Sequence, residues 1–204
     1  MRDKGSVLLQ MNIPKLDELT EYQWEIMNLP FHGRYLVSGP PESGKSSLAL
    51  HRASMIRRES PKSHLLMMLN SHAQRDYLAD GIAHLDLDPY VNIWTRWQIN
   101  YLRREGIIGQ DNTPVPWHHL SEIILERGIE AQFDNLIVDS VQNYNEVDLQ
   151  VMSLLSKDAI FFASISPLVL DLSKLDDTTI NNELCNILNV KHENYIFLNR
   201  VNHL

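Results

Sequence analysis

Gly39-Pro40-Pro41-Glu42-Ser43-Gly44-Lys45-Ser46 fits the pattern GxxxxGK[ST], and it lies between the apolar run Tyr35-Leu36-Val37 and a stretch of helical period from Ser46 to Arg57. Strand, loop and helix in that order are the context in which this Walker A pattern binds phosphate. Glycines let the backbone wrap a phosphate closely, successive N–H groups point inward, and the following helix presents its positive end. Lys45 would reach the β- and γ-phosphates, and Ser46 would hold Mg²⁺ through its hydroxyl. A plain Gly/Pro/Ser turn is the alternative, and the flanking pattern argues against it.

On either side of the loop, apolar runs alternate with stretches of helical period. Residues 1–15 show no strong period, and Leu16 to Met27 reads as one short amphipathic helix. The run at 35–38 is the first strand, followed by a helix to Glu59 that ends before Pro61. Leu65 to Leu69 is a buried strand by its unbroken apolar character, and Ala73 to Leu85 is predicted as a helix. Val91 to Thr95 alternates as a third strand, with a helix over 97–104. After the Gly/Pro/Asn/Asp-rich stretch 106–116, predicted as a loop, a helix resumes at His118. Leu136-Ile137-Val138-Asp139 is a buried strand ending in a carboxylate. A helix near 148–155, a strand over 159–163, helical period beyond Pro167 and a last strand over 195–198 complete the order. Continuous apolar strands separated by helices, with a phosphate loop after the first, predict an α/β fold of the P-loop type, a mainly parallel sheet with helices on both faces. The ligand site is then expected at the carboxyl ends of the strands, where both Gly39 and Asp139 fall. Residues 1–16 read as an N-terminal extension and residues 17–204 as one domain.

Composition narrows the setting. With 204 residues, 44% hydrophobic and 22% charged, the chain suits a globular domain that buries roughly 70% of its unfolded surface. The net charge of −8 opposes a dedicated nucleic-acid binder. His51-Arg52, Arg57-Arg58 and Arg103-Arg104 read as solvated helix faces rather than a phosphate track. One cysteine, Cys185, excludes an internal disulfide and reads as a buried thiol. No apolar run is long enough to cross a bilayer and no signal peptide is evident, so the expected location is the cytoplasm, with no membrane partner. The histidines, including His118-His119, lack CxxC or HExxH spacing and give little support for a transition-metal site. Trp94, Trp97 and Trp117 suit either base stacking or core packing.

A phosphate loop works with a second, acidic strand whose aspartate orients Mg²⁺, and Asp139 is the candidate, with a loop-capping Asp as the alternative. At this point the chain resembles the first RecA-like domain of superfamily 1 helicases of the UvrD/Rep type. The likeness runs over residues 17–204, by order and spacing more than identity. Leu19-Thr20-Glu21-Tyr22-Gln23 precedes the phosphate loop, and Leu69-Asn70-Ser71 with Tyr77-Leu78, then Ile93 to Trp97, are similar to segments that touch single-stranded DNA. Ile137-Val138-Asp139-Ser140-Val141-Gln142-Asn143 occupies the place of a DEAQD box, Phe162-Ala163-Ser164 that of a GDxxQ box, and Leu198-Asn199-Arg200 that of an arginine near the γ-phosphate. The resemblance implies ATP or ADP with Mg²⁺ as ligands. It implies Gln23 for the adenine edge, Gly39, Pro40, Ser43, Gly44, Lys45, Ser46 and Ser47 for the phosphates, Ser46 and Asp139 for the metal, and Gln142 with Arg200 for sensing the γ-phosphate.

The departures qualify that expectation. Ser140 stands where the family places the glutamate that activates water, and a serine cannot act as that base near neutral pH. Loss of such a base typically costs about 10²- to 10⁴-fold in rate. Ala163-Ser164-Ile165-Ser166-Pro167 offers neither the aspartate nor the glutamine of the third box. A second lobe, which would add another arginine, is not expected from a chain ending at Leu204. The expectation is a helicase-like pseudoenzyme that binds nucleotide, hydrolyses it weakly or not at all, and acts on a protein partner, with single-stranded DNA bound weakly at most. A subunit of a DNA-dependent ATPase completed by another chain, and an interaction protein that no longer uses nucleotide, are the alternatives; Glu42 supports the last, since an acidic side chain in the phosphate loop would repel a triphosphate unless it points outward.

Overall fold

Alternating side chains on four strands enter two separate apolar clusters, so the sheet is buried on both faces. Leu36, Leu66, Met68, Leu136, Val138 and Phe161 face one cluster, while Val37, Leu65, Met67, Leu69, Ile137, Ile160 and Phe162 face the other. This is the two-residue period of a strand with both faces covered, and it explains why the strands read as continuous apolar runs. The computed structural model describes residues 13–108, 119–164 and 177–198. Its six strands are β1 (Arg34–Gly39), β2 (Leu65–Leu69), β3 (Val91–Ile93), β4 (Phe133–Val138), β5 (Ser156–Ser164) and β6 (Tyr195–Phe197). They lie in the order β3-β2-β4-β5-β1-β6, and every pairing is parallel. Each return therefore needs a crossover, and helices supply it.

The first cluster is closed by α5 (Trp94–Arg104), α6 (Leu120–Arg127), α7 (Glu146–Leu155) and α8 (Asp177–Ile187). The second is closed by α1 (Glu21–Met27), α2 (Lys45–Glu59) and α4 (Ala79–His84). Phe161 and Phe162 are wholly buried on opposite faces, each contributing about 1.5–3 kcal/mol of transfer free energy. With a phosphate loop between β1 and α2, the chain has the P-loop α/β fold.

Four expectations change in detail. The single helix over 16–27 is a 3-10 turn at Leu16–Glu18 followed by α1, because Thr20 and Gln23 form a reciprocal capping box that starts a new helix. The helix over 73–85 is two helices, α3 (His72–Tyr77) and α4, that meet at Leu78. Leu78 and Ile82 are buried against the sheet, whereas α3 buries none of its residues. The strand near 91–95 stops at Ile93, because Trp94, Trp97, Gln98, Tyr101 and Leu102 form one buried helical stripe. Trp94 and Trp97 stack at 5.3 Å, as do Trp97 and Tyr101, so neither tryptophan is free to stack on a base. The reading of His51-Arg52 as a solvated face is overturned. Arg52 is buried and donates to the carbonyls of Met27, Leu29 and Pro30 while covering the Phe31 ring, and His51 Nε2 is 2.8 Å from the Pro14 carbonyl. Burial draws the Arg52 pKa down to about 10. Cys185 is buried, and burial raises its thiol pKa.

Candidate functional site

The site grows from two strand ends. β1 ends at Gly39 and β4 ends one residue before Asp139, with β5 between them, so both residues open onto the carboxyl edge of the sheet. Gly39 is required by close approach. A Cβ there would lie 2.6 Å from the carbonyl oxygen of Leu198, which itself donates its N–H to Ser38 O at 2.7 Å. Gly44 has φ +86, and a Cβ on it would meet Gln23 Nε2 at 2.6 Å. Its left-handed conformation turns the chain into α2 with no side-chain cap. The first-turn N–H groups of Lys45, Ser46 and Ser47 therefore have no intrahelical acceptor, which is the arrangement an anion needs.

Lys45 is buried in its own loop. Its Nζ donates to Gly39 O at 3.0 Å, Pro40 O at 2.6 Å and Ser43 Oγ at 2.9 Å. Burial lowers its pKa to about 8, with the nearby Asp139 charge acting in the opposite direction. Ser43 and Ser47 are buried beside it, and Ser46 is half-buried. Asp139 is buried and its pKa is raised by desolvation, opposed by hydrogen bonds from the Ser46 hydroxyl, Gln74 and the Ser140 N–H, and by Lys45. The fold thus brings Lys45, Ser46 and Asp139 together, a donor set of one hydroxyl and one carboxylate that fits a hard divalent cation retaining most of its waters. Apart from this pair, no group of three or more His, Cys, Asp or Glu among the described residues is placed to hold a metal.

Gln23 is buried. Its Oε1 accepts from Thr20 N–H at 3.0 Å and its Nε2 donates to Ser43 O at 3.3 Å, so it braces the phosphate loop from α1. Gln142 lies in a 3-10 turn, Val141–Asn143, and its Oε1 accepts the N–H of Ser164 at 2.8 Å, tying the loop after β4 to the end of β5. Ser140 has φ 63 and ψ 49, a left-handed conformation. Arg200, Ser166, Pro167 and Trp117 lie outside the described residues.

Two features were not legible beforehand. The first is the backbone of Glu42, which is exposed at the loop tip with φ 66, a region that favours glycine. Gln74 on α3 reaches into the site, its Nε2 lying 2.9 Å from Asp139 Oδ2 and 3.0 Å from Ser140 Oγ. The one signal for Gln74 is Ser71 three residues ahead, the pattern of a helix start; Ser71 Oγ does accept the Gln74 N–H at 3.2 Å. Beside this edge is a cleft of about 290 Å³ lined by Asn70, Trp94, Thr95, Gln98, Ser121 and Asp148 among others. The two segments likened to DNA contacts meet there. Its charged lining residues, Glu122 and Asp148, are both acidic, which opposes a phosphate backbone.

No family model matches the sequence, and no curated protein matches it. Among solved structures, domain III of the Thermotoga maritima replication initiation protein DnaA aligns at 13% identity and a TM-score of 0.43, over 88% of this chain and 59% of that one. The DnaC helicase loader aligns at 12% identity and 0.41, over 88% and 86%. Bacteroides Pif1 bound to single-stranded DNA aligns at 13% and 0.42, over 90% and 42%. At such values the likeness carries no inference about ligands, and the fold rests on the chain's own strand order and loop. No helix among the described residues is long and apolar enough to cross a membrane.

Proposed function

We propose that this chain is a nucleotide-binding domain that holds ATP or ADP with Mg²⁺, turns ATP over slowly or not at all, and acts through nucleotide-dependent contact with a protein partner. The observation that carries the reading is the convergence of an uncapped α2 N-terminus, Lys45, Ser46 and Asp139 at one edge of the sheet. Lys45 now rests on three loop oxygens; swinging outward, it would exchange them for phosphate oxygens. Ser46 and Asp139 would hold Mg²⁺, whose charge offsets that of the phosphates. Gln142 and Arg200 keep the roles the UvrD/Rep-like resemblance implies for them, whereas Gln23 would read the adenine edge only by releasing its amide from Thr20 N–H and Ser43 O.

Slow turnover follows from Ser140. The residue after Asp139 has no group able to take a proton from water near pH 7, and its hydroxyl already receives a hydrogen bond from Gln74. A second reading, a domain that no longer uses nucleotide, rests on Glu42, an acidic residue within the phosphate loop whose charge opposes a triphosphate unless the side chain points outward. Thermal melting separates the two. ATP·Mg²⁺ at 100 times its dissociation constant adds about 2.7 kcal/mol, hence a rise of about 5 to 10 °C, and Lys45→Ala should abolish it. No rise with the wild-type chain would refute nucleotide binding.

A further inference from the structure

Gln74 belongs to no part of the phosphate-loop pattern, yet it is the side chain outside that loop with the most direct hold on Asp139. Its amide uses both ends. The oxygen accepts the N–H of Asn70 at 2.8 Å, at the end of β2, while the nitrogen donates to Asp139 Oδ2 at 2.9 Å and Ser140 Oγ at 3.0 Å. Asn70 in turn donates from Nδ2 to Asn143 O at 3.1 Å, so the loops after β2 and β4 are stitched together on both sides of the carboxylate. Three partners leave the Gln74 amide one orientation, with its nitrogen on Asp139 Oδ2.

We infer that Gln74 is a positioning residue for the metal-facing carboxylate: it acts on Mg²⁺ through Asp139 rather than by touching the ion. The inference rests on the nucleotide·Mg²⁺ reading above and assigns that site a residue which the phosphate-loop pattern does not contain. One Gln74 N–H holds Oδ2 back, which leaves the other carboxylate oxygen to share the ion with Ser46. The second N–H engages the Ser140 hydroxyl and keeps it from turning toward Asp139. Partners that orient a metal ligand commonly contribute 10- to 100-fold in metal affinity. The local fold suits this use. α3 buries none of its residues, so its short length serves to place Gln74 rather than to build core.

The test is the Mg²⁺-dependent gain in ADP affinity, measured by titration calorimetry as the ratio of affinities in Mg²⁺ and in EDTA. Gln74→Met keeps the length of the side chain and removes both hydrogen-bonding ends; Gln74→Ala serves as the second variant, and neither removes core packing. The expected result is a gain reduced about tenfold or more, with affinity in EDTA within about twofold of wild type. In an Asp139→Asn background, Gln74→Met should have no further effect on the gain. A wild-type-like gain in the variants, or an equal loss in Mg²⁺ and EDTA, overturns the role of Gln74 alone. A wild-type chain that binds ADP with no Mg²⁺-dependent gain overturns the positioning role as well, since no ion is then held. A wild-type chain that binds no ADP in either condition refutes the nucleotide reading itself.

Discussion

Nucleotide affinity should fall as the pH rises from 7.5 to 9, and the burial of Lys45 sets the size of the fall. Lys45 is buried in its loop, and that burial lowers its pKa from 10.5 to about 8. Phosphates bind the charged form, so the apparent affinity follows the protonated fraction of the free protein. That fraction is about 0.76 at pH 7.5 and about 0.09 at pH 9 for a pKa of about 8, an eightfold loss of affinity. A lysine at its ordinary value would lose about 3% over the same range. Near pH 8 each nucleotide bound should take up about half a proton. The effect on stability has the opposite sign. The unfolded chain binds this proton up to about pH 10.5 and the folded chain only up to about pH 8. The cost of a buried ammonium is therefore full below pH 8 and is relieved as pH rises through that window, so this group's contribution to the stability of the free domain increases. Calorimetric titration of ADP·Mg²⁺ at several pH values, in two buffers of different ionisation enthalpy, measures both affinity and proton uptake. Affinity that is flat between pH 7.5 and 9, with no proton uptake, would refute the burial argument.

Glu42→Gly should stabilise the domain by about 0.5–1 kcal/mol, since relief of the left-handed conformation outweighs the added freedom of glycine in the unfolded chain. Removing that carboxylate should also tighten ATP binding; thermal melting and nucleotide titration check the two effects separately, and a loss of stability would count against the backbone argument. Arg52→Met should cost about 3 kcal/mol or more, because the carbonyls of Met27, Leu29 and Pro30 lose their shared donor. Denaturant unfolding measures this directly, and a neutral result would mean that water replaces the guanidinium at those carbonyls.

Much of the sheet could be read from the chain because a strand buried on both faces leaves an unbroken apolar run. Leu65 to Leu69 and Leu136 to Val138 were legible for that reason, as was the phosphate loop, where Gly39 and Gly44 are demanded by contacts of 2.6 Å with their neighbours. Helix boundaries were less legible. Nothing local marks the break at Leu78, which arises because Leu78 and Ile82 must reach the core while Gln74, one turn earlier, reaches Asp139. Trp94 fits the alternation of Val91 to Thr95 and so reads as strand, yet it is the first residue of the helical stripe, where it stacks on Trp97. Arg52 looked like half of a surface basic pair because its three carbonyl partners lie 22 to 25 positions away in the chain. A longer separation, 65 and 66 positions, conceals Gln74, whose partners Asp139 and Ser140 are brought to it only by the pairing of β2 with β4.

A single-turnover experiment examines nucleotide occupancy and slow turnover at once. Protein in excess over labelled ATP·Mg²⁺ is sampled over time, and the fractions bound and cleaved are counted in each sample. ATP should be retained on the protein, with cleavage far below about 1 s⁻¹, an ordinary enzymatic rate. Cleavage above that rate without a partner would contradict the role given to Ser140, and failure to retain ATP at all would contradict the site itself.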